Sequence, residues 1–222
     1  MSGAPADCIQ YNLFPTTVMT FEHDNASLDE ALASHFLTHP RYARTDQAER
    51  SDSLNLMDLV GESEAFARLQ AKFTDALEEY CRRTGWKGDF DLAMQMFPNF
   101  APARHYVPSH NHVAHIAAVY YVQTPVFNDR PLVETDAEIS DYWRAEEGVL
   151  ILHDPRFNAS LNGGWQKFAR VYPKPGLLIM FPAFLWHEVT PHFSQAVRLS
   201  VAANFTLTPK GDAFERQLDF SV

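Results

Sequence analysis

The sequence predicts a mainly β protein: a double-stranded β-helix of the jelly-roll, cupin-like kind, with N-terminal helices packed on the sheet. Three observations lead there. From Asp91 onward, short runs rich in β-branched and aromatic residues are separated by Pro, Gly and Asn, the punctuation of an antiparallel sandwich or barrel. The segments with helical periodicity all precede Asp91. Aromatic residues make up 13% of the chain, with 17 Phe, which suits a β-rich core or a lined pocket.

At 222 residues the chain supports one well-buried core, so residues 1–222 read as a single domain, with 1–90 as helical decoration and 91–222 as the β-helix core. Tyr11 to Phe21 is β-prone but broken at Pro15, as in an edge strand or an extended lead-in. Asn25-Ala26-Ser27 then opens a helix to about Thr38, with Asp29 and Glu30 in its first turn, where carboxylates complement the helix dipole. His39-Pro40 stops it, and Arg41 to Asn55 reads as a long surface loop. Phe66, Leu69, Phe73, Leu77 and Tyr80 recur at helical spacing, so a second helix is expected from Ser63 to Thr84, closed by Gly85.

Strands are expected at Leu92 to Phe97, Arg104 to Pro108, Ala114 to Gln123, Val149 to His153, Ala169 to Tyr172, Leu177 to Phe181, Glu188 to His192 and Val197 to Thr206. The polar insert Thr124 to Gly148 and the stretch Asn158 to Gly164 read as loops at a barrel mouth.

Two histidine clusters sit at the ends of these strands. The first is Ser109-His110-Asn111-His112-Val113-Ala114-His115, and the second is Phe181-Pro182-Ala183-Phe184-Leu185-Trp186-His187. In extended backbone, His110 and His112 point to one face and His115 to the other. Imidazole is the commonest ligand for iron, zinc, copper and nickel, so His110 and His112, joined by His187, form a candidate metal triad. Taken singly, the first cluster is also compatible with solvated loop histidines, and His187 alone equally with a structural turn histidine. In the last strand Val197, Leu199, Val201 and Ala203 share one parity, while Arg198, Ser200, Ala202 and Asn204 share the other. If that second face points inward, Arg198 and Asn204 make an anion-binding wall; if outward, a polar edge.

The remaining chemistry-bearing residues read as structural. His105 and His153 flank strands as core or rim histidines, His192 is placed to support a metal-bound imidazole from behind, and Trp143, Trp165 and Trp186 are packing residues. Cys8 and Cys81 lack CxxC spacing and read as free buried thiols of a reduced compartment. The net charge of −10 argues against binding a nucleic-acid backbone, and no run approaches the roughly 18 apolar residues of a membrane span. Without a basic, apolar leader at Met1 to Gln10, a cytoplasmic location is expected.

The ordered set H-N-H-V-A-H-I-A-A-V-Y-Y, H-D-P-R, P-G-L-L-I-M-F-P-A-F-L-W-H-E-V-T-P and R-L-S-V-A-A-N-F resembles the 2-oxoglutarate/Fe(II)-dependent oxygenases, more narrowly a bacterial and phage branch of them. The N-terminal L-F-P-T-T-V is similar to that branch's opening segment. The resemblance implies a double-stranded β-helix that uses Fe(II) and 2-oxoglutarate to hydroxylate a small-molecule or peptide substrate. It implies His110, His112 and His187 as ligands, Arg198 as the grip on the far oxoglutarate carboxylate, and Tyr106 or Tyr120 as a hydroxyl partner for the co-substrate, with Asn204 on the same wall. Most such oxygenases carry His-x-Asp or His-x-Glu where this chain has His112, and Asp154 is the carboxylate on offer as a replacement ligand. The resemblance also leaves room for a homodimer through the N-terminal helices. Two alternatives remain open: a three-histidine cupin-type metalloenzyme that does not use 2-oxoglutarate, and a non-enzymatic jelly-roll binding module.

Overall fold

The computed structural model describes residues 15–23, 25–38, 55–86, 89–125, 131–135, 148–156 and 167–210. The expected loops over most of Arg41 to Asn55, much of the insert Thr124 to Gly148, the Asn158 to Gly164 stretch, Trp143, Trp165 and Cys8 lie outside the described residues.

Within them the chain forms β1 (Met19–Glu22), α1 (Ala26–Thr38), a 3-10 helix (Leu56–Glu62), α2 (Glu64–Thr84), β2 (Phe90–Ala101), β3 (Val107–His110), β4 (Ile116–Gln123), β5 (Val133–Thr135), β6 (Leu150–His153), β7 (Phe168–Val171), β8 (Leu177–Pro182), β9 (His187–Val189) and β10 (Arg198–Pro209). The strands make two five-stranded antiparallel sheets, ordered β1-β8-β4-β10-β2 and β3-β9-β6-β7-β5. This is the expected double-stranded β-helix. Two elements were not anticipated: the 3-10 helix, too short to show a period, and β5, three residues inside a polar insert.

The first sheet is buried on both sides, and strand parity decides what each side meets. Ile116, Ala118, Tyr120 and Val122 of β4, with Leu199, Val201, Ala203 and Phe205 of β10, face the helices. There they pack with Leu28, Leu32 and Phe36 of α1 and Phe66, Leu69, Phe73 and Leu77 of α2. Each of those fully buried Leu and Phe side chains is worth about 1.5–3 kcal/mol against exposure. Ala117 and Tyr121 of β4, with Ile179 and Phe181 of β8, face the second sheet and its Leu150, Leu152, Val171 and Val189.

Helix α2 ends as its sequence indicates. Gly85 adopts φ 79, and the cap returns a backbone N–H to the Cys81 carbonyl. Cys81 itself is a buried free thiol. The turn into β8 depends on Gly176, at φ +77, whose N–H donates to the Tyr121 carbonyl at 2.9 Å and whose carbonyl accepts from His23 N–H at 3.0 Å. A Cβ at Gly176 would stand 2.1 Å from the His23 carbonyl oxygen, so this turn requires glycine.

Candidate metal centre

The two histidine clusters meet because β3 and β9 are hydrogen-bonded neighbours in the second sheet. His110 and His187 are cross-strand partners, and β6 lies beyond β9 with Leu152 opposite His187. His112 follows just after β3, where its N–H donates to the Ala183 carbonyl at 3.0 Å and so ties its loop to the β8–β9 turn. The ring centroids of His110 and His187 are 4.3 Å apart, and each lies 5.1 Å from that of His112.

One nitrogen from each of the three rings lies within 4.8 Å of the others. Two ligands about 2.1 Å from one ion stand at most about 4.2 Å apart, so a shift of well under an ångström per ring brings the set together. Tautomers support this. His110 Nδ1 is 2.7 Å from the Pro108 carbonyl, and His187 Nδ1 is 2.9 Å from that of Leu185. A carbonyl can only accept, so both Nδ1 atoms carry the proton and Nε2 is the unprotonated nitrogen of each ring, the usual arrangement of a metal-bound imidazole.

The triad lines a cavity of about 380 Å³ between the sheets, which Arg198, Tyr121 and Asn204 also line. β10 thus turns its Arg198, Ser200, Ala202 and Asn204 face inward, as an anion-binding wall requires. Arg198 is 4% exposed, its Nε lacks a hydrogen-bond partner, and its guanidinium carbon sits 5.3 Å from the centre of the Tyr121 ring. Burial pulls its pKa down, Tyr121 pulls it back up, and no carboxylate among the described residues contributes. Burial likewise pushes the Tyr121 phenol up, and Arg198 beside it pulls it back down.

The tyrosines expected to meet the co-substrate lie elsewhere. Tyr120 has the opposite parity from Tyr121 and donates to Asp29 Oδ1 of α1 at 2.7 Å, on the helix side of the sheet. Tyr106 is 47% exposed and hydrogen-bonds the Glu188 carboxylate, on the face of β9 away from His187. The tyrosine in the cavity is Tyr121. Every position from Ile116 to Val122 is apolar or aromatic, so no alternation in the sequence tells Tyr120 from Tyr121; the register alone does.

Other expectations resolve in the same way. His115 faces away from the triad, accepting the Leu207 N–H at Nδ1. His192 is buried but holds the Ala101 carbonyl through Nε2 at 2.8 Å, so the support behind His187 is the Leu185 carbonyl instead. Asp154 is paired with Arg156 and lines a separate cavity with His153, which removes it as a replacement ligand. Trp186 is 49% exposed, a rim residue. Asn55, Gln95 and Asn99, which sequence reasoning passed over, also line the triad's cavity.

Residues 95–204 match the family model described as "Putative 2OG-Fe(II) oxygenase", a span that holds all three histidines and Arg198. The chain belongs to the 2OG-Fe(II) oxygenases. It is accordingly an oxidoreductase. Solved structures of similar fold include a prolyl-4-hydroxylase from Pseudomonas putida, 18% identical with TM-score 0.51, covering 87% of this chain and 88% of that one. The α-ketoglutarate-dependent epimerase SnoN of nogalamycin biosynthesis is 17% identical with TM-score 0.53, covering 92% and 84%. HygX from Streptomyces hygroscopicus, solved with nickel and 2-oxoglutarate, is 13% identical with TM-score 0.50, covering 88% and 83%. Comparison with curated proteins gave no match. No described helix is long and apolar enough to cross a membrane.

Proposed function

We propose that this oxygenase couples oxidative decarboxylation of 2-oxoglutarate to hydroxylation of a small-molecule or peptide substrate, with His110, His112 and His187 holding Fe(II) and Arg198 anchoring the co-substrate. One observation carries the reading: three histidines that could hold one metal ion share a cavity with a buried arginine that no carboxylate among the described residues offsets. An unpaired buried cation costs several kcal/mol, and a dicarboxylate is the kind of ligand that repays it.

The residues' roles follow from their chemistry. Arg198 offers a forked donor to the far carboxylate of 2-oxoglutarate, with the Tyr121 hydroxyl beside it as a further donor, and together they orient the keto-acid end toward the triad. Three neutral imidazoles bring no charge to the site, so compensation for a dication falls to the dianionic co-substrate. Leu150, Val189 and Phe181 line the cavity with apolar surface and limit water around these groups. Fe(II), when bound, supplies the activation of dioxygen. In the overall balance one oxygen atom enters succinate and one the product hydroxyl, and CO₂ leaves.

The test is succinate release from 2-oxoglutarate by protein supplied with Fe(II) and ascorbate. Slow, substrate-independent release that Arg198→Leu lowers at least tenfold is the expected result. Metal binding with neither oxoglutarate binding nor succinate release would instead favour the three-histidine enzyme that works without the keto acid, a reading the uncharged donor set itself recommends.

A further inference from the structure

Resting on the oxygenase reading, we infer that the primary substrate is recognised as a neutral carboxamide, by a shelf of amide side chains on the mouth side of the triad. The cavity has two ends. Asn204 pairs with Ala117, Ala117 pairs with Phe181, and the Phe181 ring is 5.0 Å from that of His187, so Asn204 marks the triad end. Arg198, at the start of the same strand, marks the other.

Gln95 is the cross-strand partner of Asn204, and Asn99 that of Ser200, so both alternate with Phe97 along β2, the edge strand of the first sheet. Gln95 is exposed, while Phe97 and Asn99 are half-buried, which places this row along the opening. Asn55 completes it. Its Oδ1 accepts both Met57 N–H at 3.2 Å and Met96 N–H at 3.0 Å, so its amide cannot flip and its Nδ2 is the group left to donate. The Asn204 Oδ1 is buried with no partner. A fixed donor and an unmet acceptor therefore line one wall, and a carboxamide answers both.

Charge excludes the alternatives. Among the described lining residues there is no Asp, Glu or Lys, and Arg198 is committed to the co-substrate. A substrate carboxylate would meet the Asn204 oxygen with no cation to offset it, and a substrate ammonium would find no counter-ion.

The experiment measures binding by ligand-observed NMR, with 2-oxoglutarate present to engage Arg198 and oxygen excluded. The probes are N-acetylglutamine, N-acetylglutamate and N-acetyllysine methylamides, which share one blocked backbone. N-acetylalanine methylamide separates backbone amide recognition from side-chain recognition. The glutamine probe should bind at least about tenfold more tightly than the glutamate and lysine probes, and Gln95→Leu or Asn55→Leu should reduce that preference severalfold. Equal or tighter binding of a charged probe, absence of binding by the glutamine probe, or an unchanged preference in both variants overturns the inference. Failure of the oxygenase reading registers separately, as absence of succinate release in protein whose probe preference is intact.

Discussion

His110 and His187 face each other across the β3–β9 ladder, each with Nδ1 turned onto the carbonyl of the residue two positions earlier. This shared geometry orients both rings before any ion arrives, so backbone carbonyls hold two of the three histidines. His187→Ala should then lower affinity for Fe(II) or a Co(II) surrogate by more than the roughly 10–100-fold that loss of an outer partner costs. Calorimetric titration of metal into variant and parent checks this, with the thermal midpoint of the metal-free proteins as control for folding.

Arg198, the proposed anchor of the co-substrate, is held at a cost to stability, because burial disfavours its charge. Replacing it with Leu removes a buried cation that no carboxylate among the described residues offsets, so chemical denaturation should show the variant as stable as the parent or more so. Its affinity for 2-oxoglutarate should fall about 10- to 150-fold, the range of a lost charge-assisted hydrogen bond. Arg198→Lys should recover little, because an ammonium lacks the planar fork.

Tyr120 and Tyr121 should separate cleanly. Tyr120→Phe strips Asp29 of its hydrogen bond and should cost about 1–3 kcal/mol in urea denaturation, with oxoglutarate affinity unchanged. Tyr121→Phe keeps the ring against Arg198 and removes only the hydroxyl, so stability should change little while oxoglutarate binding weakens.

The pH dependence around Asp29 has a defined sign. Burial raises its carboxyl above the usual carboxylate range, against opposing pulls from the Tyr120 hydrogen bond and from Lys72. Between the unfolded and the raised folded pKa the native state binds the extra proton, so this group's contribution to stability declines as pH rises through that window. Asp29→Asn should therefore be more stable than the parent at pH 7, with the gap closing as pH falls below the ordinary carboxylate value. Parallel urea titrations at pH 7 and pH 3.5 test it.

Gly176→Ala should be among the most damaging single substitutions. The left-handed conformation costs a residue with a Cβ about 1–2 kcal/mol, and the overlap with the His23 carbonyl adds to that. A drop of at least about 2 kcal/mol in denaturant stability is expected.

The sequence by itself determined the class of fold, both long helices, most strands and the triad. Those conclusions rest on local signals: the period of Phe66, Leu69, Phe73 and Leu77, the Pro and Gly stops around β8, and the paired parity of His110 and His112. The inward face of β10 was half legible, because the alternation was visible while its direction was not.

Only the tertiary structure decided which tyrosine enters the cavity, that Asp154 turns to Arg156, that Asn204 stands at the triad end, and that Asn55, Gln95 and Asn99 form a wall. The physical reason is the same in each case. A strand buried on both faces, such as β4, carries no polarity pattern to orient it, so the register to β8 and β10 sets which residues face inward. An amide such as Asn55 acquires a direction only when a distant backbone N–H, here that of Met96, takes its oxygen.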